Sequence, residues 1–239
     1  MEDQDNDRKG IPRHQPICVE RLLSRMMRVR RTLAALFSVP GATAVFEAFY
    51  EREVYLHGRK YIEHPALREC LKKVGMWLEN PNKTVGLLMA GNPGNGKSTA
   101  LATIKTLISC SEQKDPENTD SYGHPAEAFL RVYKAIEILH FTNDEYKFNQ
   151  LKRTGLLAID DFGLEPVEVQ KYGNVYSPII ELLEYRYDNR LFTVLTTNLL
   201  NKTIRERYGD RMADRFNEML TCVAFPDVSF RSIRDDSSP

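Results

Sequence analysis

A glycine-rich segment in the first half of the chain has the residue types and spacing of a phosphate-binding loop. The pattern G-x-x-x-x-G-K-[ST] is matched by eight consecutive residues, Gly91, Asn92, Pro93, Gly94, Asn95, Gly96, Lys97 and Ser98, and Thr99 follows them. In such a loop, backbone N–H groups point at phosphate oxygens at the positive end of a helix. The lysine reaches the β- and γ-phosphates, and the hydroxyl after it holds Mg²⁺. The expected ligands are therefore ATP and Mg²⁺.

The residues around this loop predict the strand and the helix that the motif requires. Residues 84–90 form a short apolar run, which is typical of a buried parallel strand, and residues 98–107 have a helical pattern. A glycine-rich turn before an ordinary helix is the alternative. The strand in front and the Lys-Ser pair in register favour a phosphate-binding loop instead.

A second apolar run ends in two carboxylates. Residues 155–159 are apolar, and Asp160 and Asp161 follow them. Acids at the end of a buried strand are unfavourable unless a cation is bound there. The last acid of this strand binds Mg²⁺ in P-loop enzymes, which assigns that role to Asp160. Asp161 could orient and deprotonate the attacking water; two acids that cap a turn are the competing interpretation.

A third apolar run, residues 191–197, ends in Asn198. Open α/β sheets bind ligands at the carboxyl ends of their strands, so Asn198 is expected to hold the attacking water or to contact the γ-phosphate. Runs at 128–133 and 222–225 bring the predicted strands to five. Residues 174–187 are predicted to be a covering helix, and the polar residues 111–125 a surface loop. The predicted fold class is an α/β P-loop NTPase, a five-stranded parallel sheet flanked by helices.

The last third of the chain is rich in arginine. Arg211 and Arg215 lie four residues apart on one predicted helical face, with Asp210 and Asp214 as available partners. A salt-bridged helix surface is one interpretation. The other is an arginine that a neighbouring subunit supplies to the γ-phosphate, because the chain shows no other obvious cation for that task.

Composition limits the classes of partner and compartment. The chain has 33 Lys and Arg residues and 33 Asp and Glu residues, so its formal net charge is zero. No overall electrostatic field therefore indicates a nucleic-acid or membrane partner. Four cysteines without metal-like spacing are expected to be reduced, mostly buried thiols: Cys18, Cys70, Cys110 and Cys222. No apolar run reaches the roughly 18 residues of a membrane span, and the N-terminus does not resemble a signal peptide. These features predict a cytoplasmic protein with no membrane partner.

The chain before the phosphate-binding loop is predicted to be a tail followed by a small helical module. The predicted division is 1–17, a flexible tail; 18–61, a helical partner-binding module; 62–232, the ATPase domain; and 233–239, a second tail. Helices are expected over residues 20–37 and 42–56, and a third from Pro65. On the first of these, arginines at 21, 25 and 28 form a basic stripe. A solvated face and contact with DNA backbone or an acidic partner are equally supported.

Six segments of the chain, in order, resemble the AAA+ ATPases of the DnaC/IstB type, which are bacterial helicase loaders and ATP-dependent helpers of transposases. The matching segments are 91–99, LLAIDDFG (156–163), LLEYRYDNR (182–190), TVLTTN (193–198), YGDRMADR (208–215) and Phe230-Arg231. Together they cover about residues 86–231. The phosphate-binding loop and the paired acids are common to many ATPases, whereas TTN and YGDRMADR make the resemblance more specific.

The resemblance implies an AAA+ fold and a role for each matching residue. By this resemblance, Lys97 binds phosphate, and Ser98 and Asp160 bind Mg²⁺. Asp161 activates the attacking water, and Asn198 is the first sensor. Arg215 matches the arginine that acts across a subunit interface, with Arg211 as its companion. Arg231 matches the second sensor.

The resemblance also implies partners. The chain is expected to assemble into an ATP-dependent homo-oligomer that recruits or remodels a DNA-processing partner. A loader of a replicative helicase that contacts single-stranded DNA is the first hypothesis. The alternatives are an IstB-like transposition helper that binds DNA and a transposase, a small-molecule P-loop kinase, and a nucleotide-gated scaffold with negligible turnover.

Overall fold

The computed structural model describes residues 37–81, 83–119, 121–171 and 174–230. Nearly all of the predicted helix over residues 20–37, with its arginine stripe, lies outside these residues, as do Cys18 and Arg231. Both interpretations of the stripe therefore stay predictions.

Helices and strands alternate through most of the described chain. The helices are α1 (Ala42–Leu56), α2 (Pro65–Glu79), α3 (Lys97–Cys110), α4 (Ile138–Phe141), α5 (Glu145–Lys152), α6 (Pro178–Asp188), α7 (Asn201–Tyr208) and α8 (Asp210–Met219), and a 3₁₀ turn spans Ala135–Glu137. The strands are β1 (Gly86–Ala90), β2 (Lys114–Thr119), β3 (Pro125–Glu127), β4 (Arg131–Lys134), β5 (Leu156–Phe162), β6 (Val169–Lys171), β7 (Asn174–Tyr176), β8 (Phe192–Thr197) and β9 (Leu220–Ala224).

Five of these strands form one sheet in the order β4-β5-β8-β1-β9. Every neighbouring pair in it is parallel, so all five carboxyl ends lie at the same edge. Strand β8 lies between β1 and β5: Leu195 pairs with Leu88 on one side and with Ile159 on the other. The predicted fold class, a five-stranded parallel sheet flanked by helices, is confirmed.

Two antiparallel hairpins depart from the sequence-based expectations. Residues 111–125, predicted as a surface loop, contain β2 and lead into β3, and Lys114 pairs with Glu127. Residues 174–176, predicted as the start of a helix, form β7 instead, and Val175 pairs with Gln170 of β6. Helix α6 begins only at Pro178, because proline suits the first turn of a helix. Both hairpins lie outside the main sheet and bury few apolar side chains, so their sequences lack the apolar runs that identify core strands.

The sheet has a hydrophobic core on each face. Leu87 and Met89 of β1 pack with α1, α2 and α3 on one side, whereas Leu88 packs with α6, α7 and α8 on the other. Successive residues of a strand point to opposite faces, so a strand that is covered on both sides is apolar throughout. This arrangement explains why β1, β5 and β8 were recognisable in the sequence.

Helix α1 belongs to the same core as β1 and α3, the strand and the helix on either side of residues 91–96. Its Phe46 is fully buried and Tyr50 is 3% exposed, both in the cluster that contains α2 and α3. The carboxylate of Glu79, at the end of α2, accepts hydrogen bonds from the N–H groups of Gly41 (3.3 Å) and Thr43 (3.1 Å) and so caps α1. The domain boundaries and the partner-binding role of residues 18–61 stay predictions.

Lys83 joins the start of the described chain to α2. Its Nζ donates to the carbonyl oxygens of Phe37 (2.7 Å) and Leu78 (3.1 Å) and lies 4.6 Å from the centre of the Trp77 ring. Burial lowers the pKa of Lys83 from its ordinary 10.5 to about 7. Between pH 7 and 10.5 the unfolded chain therefore binds one proton more than the folded chain at this site, and the folded state gains stability as the pH rises.

We expect the free energy of unfolding to increase from pH 7 towards pH 10 by at most about 1.4 kcal/mol per pH unit from this residue. The measurement is urea unfolding at several pH values for the wild type and for Lys83→Met, which keeps the apolar stem but does not titrate. The free energy of unfolding of the wild type minus that of Lys83→Met should increase as the pH rises. A difference independent of pH would contradict the assigned shift.

Two further expectations concern cysteines and membranes. Of the three described cysteines, Cys70 is buried, whereas Cys110 and Cys222 are exposed, so the expectation of mostly buried thiols is wrong for this part of the chain. Cys110 ends α3 and Cys222 lies on the edge strand β9, which has a neighbour on one side only. No helix among the described residues has both the length and the apolar character that crossing a bilayer needs.

Candidate functional site

An open cavity of about 400 Å³ lies where β1, β5 and β8 end. Residues 93–99, which follow β1, form its floor, and Asp161 and Asn198 come from the ends of β5 and β8. Its size is within the usual range for small-ligand sites. The cavity therefore brings together most of the residues that the sequence pointed to, although they are up to about a hundred positions apart in the chain.

Lys97 is held inside the phosphate-binding loop. The side chain is 5% exposed, and its Nζ donates to the carbonyl oxygens of Gly91 (2.7 Å) and Asn92 (2.9 Å) and to Oδ1 of Asn95 (3.0 Å). A buried ammonium group needs such acceptors. They fix the lysine at the start of α3, where an anionic ligand would meet both its charge and the positive end of the helix.

A β-bulge places the two acids. Ile159 of β5 pairs with Leu195 and Phe162 pairs with Thr197, so Asp160 and Asp161 together oppose the single residue Thr196. In a regular strand their side chains would point to opposite faces of the sheet. Here Asp161 adopts a left-handed backbone conformation, φ 57°, which changes the direction of its side chain.

Thr196 fixes this bulge through its hydroxyl group. The Asp161 N–H donates to Thr196 Oγ1 (2.9 Å), and the Thr196 hydroxyl donates to Oδ1 of Asp160. The segment TVLTTN pointed to Asn198 as a site residue, but Thr196, two residues earlier, was not predicted. The available signal was a threonine in a buried run, but Thr193 and Thr197 of the same strand share it.

Ser98 and Asp160 are suited to hold Mg²⁺. Ser98 Oγ donates to Asp160 Oδ1 at 3.1 Å, so two oxygen ligands from α3 and β5 lie side by side. Within the described residues, no group of three or more His, Cys, Asp or Glu side chains could form a cation site of its own. Ser98 and Asp160 would nevertheless be enough to hold Mg²⁺, which is usually bound by one or two protein groups together with substrate phosphates and water.

Helix α1 and the segment after it form the far wall of the cavity. Lining residues from this part of the chain are Tyr50, Val54, His57, Arg59, Lys60, Tyr61 and Ile62. Tyr50 packs so closely on the loop that a Cβ at Gly96 would lie 2.1 Å from its hydroxyl oxygen, and Gly96 has φ 97°. Burial also raises the pKa of Tyr50 to about 12. This wall was not predicted from the sequence, because aromatic residues on a predicted helix are usually core.

The segment after β9 lies against the other side of the phosphate-binding loop. The Phe230 N–H donates to the Gly94 carbonyl oxygen (2.9 Å), and Asn95 Nδ2 donates to the Pro226 carbonyl oxygen (3.3 Å). Asn95, which is 1% exposed, therefore contacts both this segment and Lys97. Phe230 also lines the cavity, and the next residue is Arg231, for which the second-sensor role stays a prediction.

The arginines of α7 and α8 pair differently from the expectation. Asp210 and Asp214 both bind Arg205, at 2.5 and 3.0 Å. Arg211 and Arg215 instead pair with Glu184 of α6, at 3.4 and 2.6 Å. Helical spacing predicted that these two arginines share a face, but it could not predict that α6 packs beside that face and supplies the carboxylate. Neither of the two lines the cavity among the described residues.

Comparisons with solved structures support the fold. The chain is similar to the DnaC helicase loader, with 16% identity, a TM-score of 0.53 and coverage of 70% of this chain and 93% of that one. It is also similar to a protein of Streptococcus pyogenes serotype M3 described as a candidate primosome component, with 16% identity, a TM-score of 0.51 and coverage of 77% and 99%. No protein-family model and no curated protein matches the sequence. The resemblance to DnaC-like AAA+ proteins is thus confirmed at the level of the fold.

Proposed function

We propose that this chain is an AAA+ ATPase that binds Mg²⁺·ATP in the cavity and uses ATP turnover to load or remodel a replicative helicase. The observation that carries the proposal is the meeting of the phosphate-binding loop, the Ser98–Asp160 pair, Asp161 and Asn198 at one edge of the sheet. Phosphate ligands, metal ligands, a carboxylate base and a polar sensor are the parts that phosphoryl transfer to water needs.

In the proposed reaction, residues of this chain position the phosphates and the water. Backbone N–H groups of the loop and Lys97 bind the β- and γ-phosphates. Mg²⁺, held through Ser98 and Asp160, neutralises negative charge on these phosphates when it is bound. Asp161 accepts a proton from the water that attacks the γ-phosphorus, while the bond from this phosphorus to the β–γ bridging oxygen breaks and ADP leaves. The Asn198 amide orients this water or a γ-phosphate oxygen.

Arg215 is proposed to act on the cavity of a neighbouring copy. Transition-state charge on the γ-phosphate is usually stabilised by an arginine. Arg215 contacts Glu184 and Asp188 on α6 instead of lining its own cavity, and its side chain is 15% exposed. In a homo-oligomer, Arg215 would reach the γ-phosphate of ATP bound to the neighbouring subunit, and Arg211 would be its more exposed companion.

We expect the ATPase rate per subunit to rise with protein concentration, because only assembled subunits have a complete site. Arg215→Ala should lower the rate at saturating concentration by about 10³-fold, the lower end of the range for such arginines. The measurement is phosphate release at protein concentrations spanning three decades. Arg153→Ala is the matched control, since Arg153 lies after α5, away from the cavity. A flat profile for both wild type and Arg215→Ala would contradict the oligomeric mechanism.

The partner assignment rests on the resemblance and on the fold shared with a helicase loader. An IstB-like transposition helper would use the same ATPase site with a transposase and DNA. A P-loop kinase would place the acceptor substrate in the cavity and would need no arginine from a neighbour, so the concentration experiment distinguishes it from both. A nucleotide-gated scaffold would bind ATP but would turn it over negligibly.

A further inference from the structure

Glu165, which no part of the proposed mechanism uses, is a fully buried carboxylate five residues after Asp160. Its Oε2 accepts the Gly163 N–H at 2.8 Å, and its Oε1 accepts the hydroxyl of Tyr208 at the end of α7. Its backbone carbonyl oxygen accepts from Arg207 Nη2. A carboxylate is rarely buried without such partners, so this side chain is fixed by its contacts.

The contact to Gly163 acts on the turn that carries Asp161. The backbone is left-handed at Asp161 (φ 57°) and again at Gly163 (φ 105°), and the Leu164 N–H closes the turn on the Asp161 carbonyl oxygen at 3.2 Å. A non-glycine residue in this conformation is unfavourable by itself and persists only where its surroundings hold it. Glu165 is one of the groups that hold this turn, and Thr196 is another.

The contact to Tyr208 connects the same turn to α7 and α8. The Phe162 ring stacks on the Tyr208 ring, with centroids 4.7 Å apart, and meets the Phe216 ring of α8 edge-on at 5.5 Å. Burial, followed by the hydrogen bond to Glu165, raises the pKa of Tyr208, so its hydroxyl remains a donor throughout the neutral range. Phe216 directly follows Arg215 in α8.

We propose that Glu165 and Tyr208 are positioning residues: together they hold the Asp161 turn in its reactive geometry and join it to the helices that carry the arginines. The Asp161 turn, α7 and α8 then move as one unit. Through this unit, the contents of a subunit's own cavity would influence where its Arg215 lies. The catalytic part of this inference rests on the proposed ATPase function.

The test is Tyr208→Phe, which removes one hydroxyl and keeps the ring stacked on Phe162. We expect kcat for ATP to fall about tenfold or more with KM changed less than about threefold, because a displaced base impairs the reaction and not binding. Amide hydrogen exchange of the peptide spanning residues 160–165 should become faster. Thr106→Val is the matched control, since it removes a hydroxyl that donates to another buried glutamate, Glu53, at 2.6 Å.

If the Tyr208 hydroxyl had a purely structural role, Tyr208→Phe and Thr106→Val would both have a lower melting temperature. Well below that temperature, kcat of both would stay within about twofold of the wild type. That result for Tyr208→Phe would overturn the proposal. If Tyr208→Phe does not fold, Glu165→Gln replaces it, because it keeps the volume and one carbonyl acceptor; an unchanged kcat would then overturn the proposal.

The exchange measurement needs no turnover and separates this inference from the proposed function. A wild type without ATPase activity would contradict the function. Equal exchange of residues 160–165 in wild type and Tyr208→Phe, each with and without Mg²⁺·ATP, would contradict the positioning role whatever the activity.

Discussion

Asp161→Asn is expected to abolish ATP turnover while ATP still binds. The carboxylate lies at the cavity, on the bulge that Thr196 fixes, and an amide there keeps the shape but cannot accept the proton of the attacking water. We expect kcat to fall by about 10²- to 10⁴-fold, the usual contribution of a general base. Because Lys97, Ser98 and Asp160 are unchanged, the dissociation constant for ATP should change less than about threefold.

Single-turnover hydrolysis and equilibrium binding of a fluorescent ATP analogue measure the two effects separately. Asp144→Asn is the control, since Asp144 caps α5 away from the cavity and asparagine caps a helix equally well. Turnover by Asp161→Asn at more than a tenth of the wild-type rate would show that another group activates the water.

The same variant addresses the partner. If Asp161→Asn holds ATP without hydrolysing it, its ATP-dependent complex should persist and can be captured from the source cell. Enrichment of a replicative helicase that is lost with Lys97→Ala supports the loader function. Enrichment of a transposase would assign the same ATPase mechanism to transposition. If Asp161→Asn and Lys97→Ala captured the same amount of partner, the association would not depend on nucleotide.

Arg186→Met is expected to destabilise the protein more than any surface substitution. Arg186 is fully buried in α6, where its Nε donates to Thr193 Oγ1 at 2.9 Å. Its two terminal nitrogens donate to four backbone carbonyl oxygens near the starts of β5 and β8: those of Lys152, Thr154, Gly155 and Phe192. Methionine would fill much of the volume but would leave these acceptors buried without a donor.

We expect the free energy of unfolding to fall by about 3–5 kcal/mol, because each buried acceptor left without a donor costs about 1–3 kcal/mol and the loss of a buried hydrogen-bond network is among the most destabilising effects of a single substitution. Urea unfolding, followed by circular dichroism, measures it. Arg190→Met is the matched control: Arg190 is exposed two residues after the end of the same helix, and its replacement should change stability by less than about 0.5 kcal/mol. A loss below about 1 kcal/mol for Arg186→Met would mean that water or rearranged backbone satisfies the carbonyl groups.

Local patterns in the sequence were sufficient to predict the strands and helices around the candidate site. The spacing of Gly91, Gly96 and Lys97 predicted a phosphate-binding loop, and the structure places these residues between the end of β1 and the start of α3, where such a loop belongs. Helices α1 and α2 were also predicted with the starts that the structure shows, at residues 42 and 65, since glycine and proline mark where they begin. Strands β1, β5 and β8 were evident because burial on both faces requires continuous apolar runs.

Contacts between distant segments were decided only by the tertiary structure. Sequence spacing placed Asp160 and Asp161 next to each other, but the bulge opposite Thr196 determines where each carboxylate points. The spacing of the aspartates and arginines of α8 suggested that they pair with each other. Instead, α6 packs beside this helix, and its Glu184 forms the ion pair with Arg215. The aromatic wall supplied by α1 and the contact of Glu165 with Tyr208 had no local signal. Each depends on which elements the sheet order brings together, and that order is fixed by burial of the whole core, not by any single segment.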